Sequence, residues 1–297
     1  MQSRHLVVKR DQARFEIPAA YEGLSVGFRR WSVVDGNSGS VHQEFGICEL
    51  DPGGAIEPHV HSFEESFYVV AGELTCETGE GSYLLKEGDY GVVPVASPHA
   101  FRNVGDSSAR WAEMLAPQPR VGSAGDTFPV DWLVDPGSPQ SVDARDPRTR
   151  SFGNIRAENM NAGLQTQEML SLSASMRTAL LVYSGITVKM MVDSDLGASL
   201  STMFMVQYEP AGLAGAHDHP HEETFYILEG ETVARFDGEE YLLQPGDIAW
   251  AGVGCVHEFS NPNDTIVRWL ETQAPQPPAR HSYRFGRDWA YLDEALE

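Results

Sequence analysis

Short runs of aliphatic and aromatic residues, broken at intervals by Gly, Pro and Asp, recur along this 297-residue chain. Residues 66–70 and 224–228 are two such runs, each followed by a glycine, Gly72 or Gly230, and then by another β-rich run. Runs this short, rich in β-branched and aromatic residues and bounded by turn formers, predict strands. Many short strands with glycine turns predict an all-β sandwich or barrel and argue against βαβ units. The stretch 120–150, rich in Pro, Ser, Gly and Asp, reads as a linker, and short helices are expected near residues 159–171 and 288–297.

The pattern occurs twice. His59-Val60-His61-Ser62-Phe63-Glu64-Glu65 returns as His217-Asp218-His219-Pro220-His221-Glu222-Glu223, an offset of 158 residues. The offset holds without a gap from Val34 and Val192 through Gly88 and Gly246, Asn103 and Asn261, and Trp111 and Trp269, to Pro119 and Pro277. A register kept across strands, turns and a proline-rich exit implies duplication of one fold. The expected domains are 1–120 and 171–297, with 121–170 between them, and at roughly 150 residues per domain the length agrees.

Composition narrows the functions. The chain is 41% hydrophobic and 22% charged with a formal net charge of −22, which repels phosphate backbones and anionic lipid, so neither nucleic acid nor membrane is expected as a partner. No apolar run approaches the roughly 18 residues of a membrane span, and residues 1–12 are too polar for a secretory signal; a cytoplasmic protein is expected. Cys48, Cys76 and Cys255 are odd in number and far apart, which suits packing residues better than disulfides or a Cys-x-x-Cys metal site.

The repeated segment carries the chemistry. Successive residues of a strand point to opposite faces, so His59 and His61 share a face, as do His217 and His219. Glu65 and Glu223 follow four positions later, and His99 and His257 arrive from a later strand. Three imidazoles and a carboxylate suit a divalent first-row metal and leave about two positions of an octahedral shell open. Glu64 and Glu222, on the opposite parity, are expected to face solvent. Phe67, Phe101, Phe225 and Phe259 share the ligands' parity and are expected to fill the core or line a pocket. His221 is matched by no histidine in the first copy and reads as an exposed loop histidine, with a swing toward the metal mouth as the alternative. Of Arg29 and Arg30 one must face inward, where it could meet an anionic substrate. Cys255, two residues before His257, is not expected to be a ligand.

These spacings resemble the cupin superfamily. Its first motif, G-x5-H-x-H-x3-E-x6-G, is met by Gly53, His59, His61, Glu65 and Gly72; its second is met by Gly88, Pro94, His99 and Asn103, with Ala96 in place of a preferred glycine. The second copy keeps every ligand position but has Ala211 at the leading glycine and Gly252 at the proline. The resemblance implies two tandem double-stranded β-helix (jelly-roll) barrels with a few short helices. It implies metal ligands His59, His61, Glu65 and His99 in one barrel and His217, His219, Glu223 and His257 in the other, while the glycines, Asn103 and Asn261 shape turns. Up to two divalent ions per chain are implied, iron or manganese first, with nickel, cobalt, copper and zinc also compatible. Homo-oligomers are common for such folds, and one is expected here.

The implied function is a metal-dependent enzyme acting on a small organic molecule. An oxidoreductase similar in character to quercetin dioxygenase-like cupins is favoured. The alternatives are a redox-neutral decarboxylase, hydrolase or isomerase, and a non-catalytic binding protein. Catalytic residues are not assigned by the sequence, but the second copy is the favoured place for the chemistry, because Gly252 and Gly254 stand where the first has Pro94 and Ala96.

Overall fold

A computed structural model describes residues 3–120, 124–131, 135–143, 151–161, 183–277 and 284–285. It is nearly all β, as two large curled sheets of eleven and ten strands. The chain divides into two compact units that are discontinuous in sequence: Ala13–Ile155 with Val192–Ser201, and Met1–Gln12 with Arg156–Met191 and Thr202–Glu297.

In the first barrel the long strand Glu44–His61 pairs along its first half with Ala109–Ala116 and along its second half with His99–Arg102. Between the two halves the chain turns through Pro52 and Gly53, and Gly53 has φ 71°. Asn103 pins this bend, its amide donating to the Leu50 and Ser107 carbonyls at 2.8 Å each. The second barrel repeats the device with Asn261, which donates to Glu209 and Thr265. Ala96 and Ala211, which stand where the family prefers glycine, both take φ 61°. The left-handed turn is therefore kept at a cost of roughly 1 kcal/mol or more for the Cβ. Each barrel closes over its own aromatic core, around Trp111, Phe67 and Phe101 in one and Trp269, Phe225 and Phe259 in the other.

Three pieces of the expected linker 121–170 are strands of the first unit's sheet. Thr127–Pro129 pairs with residues 59–61, Gln140–Ser141 runs parallel to Gly81–Lys86, and Phe152–Asn154 pairs with Asp89–Val93. Of the helix expected over 159–171, the described part is a 3-10 turn, Ala157–Met160, and residues 162–171 and 288–297 lie outside the described residues. The strand His5–Val8 pairs with Ile248–Ala251 in the second barrel, and Arg4 clamps it there through both carboxylate oxygens of Asp237 at 3.1 and 2.8 Å.

Candidate metal centres

Each barrel gathers its four expected residues. In His59, His61, Glu65 and His99, and again in His217, His219, Glu223 and His257, candidate ligand atoms all lie within 4.8 Å of one another, and all eight side chains are buried. The long strand of the first barrel supplies both His59 and His61, that of the second supplies His217 with His219 one residue past its end, the next strand supplies the glutamate, and a short strand, His99–Arg102 or His257–Ser260, the third histidine.

All six imidazoles are oriented in the same way. In the first barrel Nδ1 of His59, His61 and His99 bonds the carbonyls of Glu57, Phe63 and Ser97 at 2.8, 2.6 and 3.0 Å. In the second, Nδ1 of His217, His219 and His257 bonds those of Gly215, His221 and Cys255 at 2.8, 2.8 and 3.0 Å. A carbonyl only accepts, so Nδ1 must donate, and the lone pair is left on Nε2. Those lone pairs converge on carboxylate oxygens: Glu65 Oε2 is 3.0 Å from His61 Nε2 and 3.2 Å from His99 Nε2, and Glu223 Oε2 is 2.9 and 3.1 Å from those of His219 and His257. Lone pair facing lone pair, buried, calls for a cation between them. His59 Nε2 and Glu65 Oε1 have no hydrogen-bond partner among the described residues. The donor set and its anchoring carbonyls thus fit a divalent ion.

Electrostatics agree. Burial, then the neighbouring His99, pushes His59 down to about 3, and burial with His257 does the same to His217, so both rings are neutral ligands at ordinary pH. Burial alone would raise Glu65 and Glu223, but protons on the histidines facing them would pull both below the usual carboxylate range, and Glu223 in turn raises His219; with Nε2 unprotonated, a cation takes the place of those protons.

The interiors behind the two clusters differ. In the first barrel Arg30 is inward and buried, whereas Arg29 is paired with Asp51 at the surface. Arg30 is not available to an anion: it is paired with Glu44, and its Nε lies 2.8 Å from Glu113 Oε2, as an ion pair rather than an aligned hydrogen bond. Tyr21 packs edge-on against His59 at 5.6 Å between ring centres and fills more of the space. In the second barrel a cavity of about 40 Å³ remains, reached by His217, Glu223 and His257 and walled by Phe225, Phe259 and Trp269. A single water needs roughly 10–15 Å³ by this measure, so the cavity has room for about three waters, or for the chelating end of an organic molecule a few heavy atoms across. Of the four candidate pocket phenylalanines, Phe225 and Phe259 line this cavity, and Phe67 and Phe101 are core. Sequence reasoning missed Glu271, which also lines it, its carboxylate accepting from Trp269 Nε1 at 2.9 Å.

Two expectations of exposure are overturned. His221 is 1% exposed, its ring stacked on His219 at 3.8 Å and 4°. Its Nε2 lies 3.4 Å from Glu223 Oε1, which also accepts from Gln273 at 2.5 Å. Phe63 holds the equivalent place on His61 in the first barrel, and that apolar counterpart was the available signal. Glu64 and Glu222 are 2% and 1% exposed. The Glu64 carboxylate accepts from the amides of Ser199 and Ser201 at 2.7 and 3.1 Å and from the Ser201 hydroxyl at 2.5 Å. The face opposite the metal cluster is therefore covered by residues 199–201 of the same unit. Glu64→Ala would strand these buried donors, and a loss on the order of 3 kcal/mol is expected in urea denaturation with metal content unchanged.

Cys255 is no part of the second cluster. It meets His5 and Asp237 within 4.8 Å, where Asp237 is already taken by Arg4.

Comparisons agree with this geometry. A family model for the cupin domain matches residues 46–115 and 204–272. The protein SchB of Streptomyces halstedii is 33% identical over 104 residues, 34% of this chain and 75% of its own. The polyketide synthase CurC of Streptomyces cyaneus is 36% identical over 81 residues, 26% of this chain, and the chain spans only about half of it, 53%. Among solved structures, Lactobacillus farciminis oxalate decarboxylase in its formate complex superposes with a TM-score of 0.62 at 17% identity, covering 97% of this chain and 90% of its own. Salicylate 1,2-dioxygenase from Pseudoaminobacter salicylatoxidans does so at 0.64 and 18%, covering 91% and 75%.

Proposed function

The chain belongs to the cupin superfamily as a bicupin, and on that premise we propose that it is a metal-dependent oxidoreductase of dioxygenase type whose chemistry takes place in the second barrel. The observation that carries this reading is the cavity of about 40 Å³ into which ligand residues of the second cluster reach. The solved relatives include a decarboxylase and a dioxygenase and share the fold at under 20% identity, so the choice rests on this chain's own residues.

His217, His219, His257 and Glu223 would hold the ion, which when bound would supply Lewis acidity and, for a redox-active metal, electron transfer at an open position. The protein's part is legible. Three carbonyls lock the imidazoles with Nε2 inward, and Gln273 holds Glu223 Oε1, so that Oε2 faces the histidines. Phe225, Phe259 and Trp269 make the wall beside the ligands apolar, which suits dioxygen and an apolar substrate better than hydrolysis. The first cluster, backed by Arg30 and Tyr21, is assigned a structural role.

A second reading has its own observation. Glu271 places a carboxyl in the same cavity, where it could carry a proton for a redox-neutral decarboxylation or isomerisation. Oxygen uptake by metal-loaded protein against catechols, diketones and flavonols separates the two: uptake that matches substrate loss supports the dioxygenase, and turnover without uptake supports the alternative. Once turnover is found, Glu223→Gln should lower it on the order of 100-fold or more while Glu65→Gln changes it little. The reverse pattern would move the chemistry to the first barrel.

A further inference from the structure

The two barrels are a natural comparison, because the 158-residue offset pairs their interior positions one by one. Glu113 and Glu271 are counterparts, each on the strand that also carries the indole serving it, Trp111 or Trp269. In the first barrel the carboxylate has a buried cation, Arg30, which is also paired with Glu44. Room for that guanidinium exists because residue 46 is glycine: a Cβ there would lie 2.9 Å from the Arg30 guanidinium and 2.7 Å from the Trp31 carbonyl. The second barrel changes all three positions together, with Val188 for Arg30, Thr202 for Glu44 and Phe204 for Gly46.

Val188 and Phe204 both line the cavity, and Glu271 remains. The space that Arg30 fills in one barrel thus corresponds in the other to an apolar-walled void beside the ligands. Among the described lining residues none is lysine or arginine. An anionic substrate entering it would shed its hydration beside the Glu223 carboxylate with no lysine or arginine in the lining to replace the lost water, and only the ion, its charge already partly met by Glu223, to offset the cost. An uncharged molecule with an apolar body would meet Ile186, Val188, Phe204 and Phe225 instead.

We infer that the second barrel's cavity selects a small uncharged chelating molecule over a carboxylate anion, and that position 188 sets this preference. The inference rests on the metal-dependent reading above and deepens it by naming a substrate class. It also gives the coordinated changes at 188, 202 and 204 a purpose: they convert a filled, charge-paired interior into a receptor.

The test is a binding titration and needs no turnover. His99→Ala protein, in which the ion would remain in the second barrel, is loaded with cobalt(II), and its metal content is measured. Visible absorption then follows addition of oxamide, an uncharged two-oxygen chelator, or of oxalate, the dianion of the same shape, with cobalt content checked after each titration. Oxamide should bind at least about tenfold more tightly than oxalate. In Val188→Arg/Phe204→Gly, which restores two of the first barrel's three residues, the oxamide response should fall at least about tenfold with cobalt retained. Oxalate binding as tightly as oxamide in the Val188 protein, with cobalt in place, overturns the inference and leaves the metal reading standing. Failure of that protein to hold cobalt overturns both. The first comparison needs no change at 188, so misfolding of the double variant does not protect the idea.

Discussion

Replacing His257 by alanine is expected to remove about one equivalent of metal per chain, and replacing His99 to remove the other. Each cluster offers three imidazole nitrogens and one carboxylate, and each ring is fixed by an Nδ1 bond to a carbonyl, so the rings that remain cannot shift to replace a lost Nε2. With one nitrogen gone the remaining three donors should bind several orders of magnitude more weakly, enough for the ion to leave on dialysis. Elemental analysis of protein purified without added metal checks this, and the double variant should hold almost none. An unchanged stoichiometry in either single variant would mean that its barrel is not a metal site. The pH dependence follows from the same burial. His59 and His217, pushed down to about 3, have no proton to shed at neutral pH, and the carboxylates stay ionised below their usual range. His219 is the exception: burial alone would lower it, but Glu223 raises it above the ordinary histidine value, so acidification should displace metal from the second cluster before the first, as elemental analysis after dialysis at pH 7 and pH 5 would show.

The eight cluster residues were legible because strand parity and a repeat held in register need nothing beyond local sequence. What surrounds them was not. Parity places Glu64 on the face away from His61 and Glu65, but whether that face meets water depends on residues 199–201, more than a hundred positions away. The strand His5–Val8 lies outside the repeat and pairs with Ile248–Ala251 more than two hundred positions away, so nothing local assigned it to the second barrel. His221 was legible in retrospect. Its repeat counterpart Phe63 is apolar and buried, and counterparts in a duplicated fold share burial even where they do not share chemistry. Alternation correctly required one of Arg29 and Arg30 to point inward. The ion pairs that occupy Arg30 come from two other strands and show in the sequence only as the linked exchange of residues 30, 44 and 46 for 188, 202 and 204.

That linked exchange makes Arg30→Leu the substitution expected to cost the most stability, about 3–5 kcal/mol, because removing one partner of a buried charge network leaves the others uncompensated. Glu113 is buried against Trp111 and Cys48 and would lose its cation, while Glu44 would lose its partner. Converting all three positions to their second-barrel counterparts, Arg30→Val with Glu44→Thr and Gly46→Phe, should recover part of the loss if the three act as a unit. The pH dependence has a definite sign. Burial pushes Glu113 up to about 7 in the folded protein even though Arg30 pulls it down. An acid whose folded pKa is raised stabilises the fold below its unfolded value near 4.5, and that contribution is lost as pH rises through about 7. Without Arg30 the pull downward is gone, so Glu113 should hold its proton to still higher pH and ionise in the folded state at greater cost. Urea denaturation of Arg30→Leu and the parent at pH 5 and pH 8.5 should show the larger gap at pH 8.5. A gap below about 1 kcal/mol at both values, or a larger one at pH 5, would mean that the Arg30 network does not hold the first barrel's interior together.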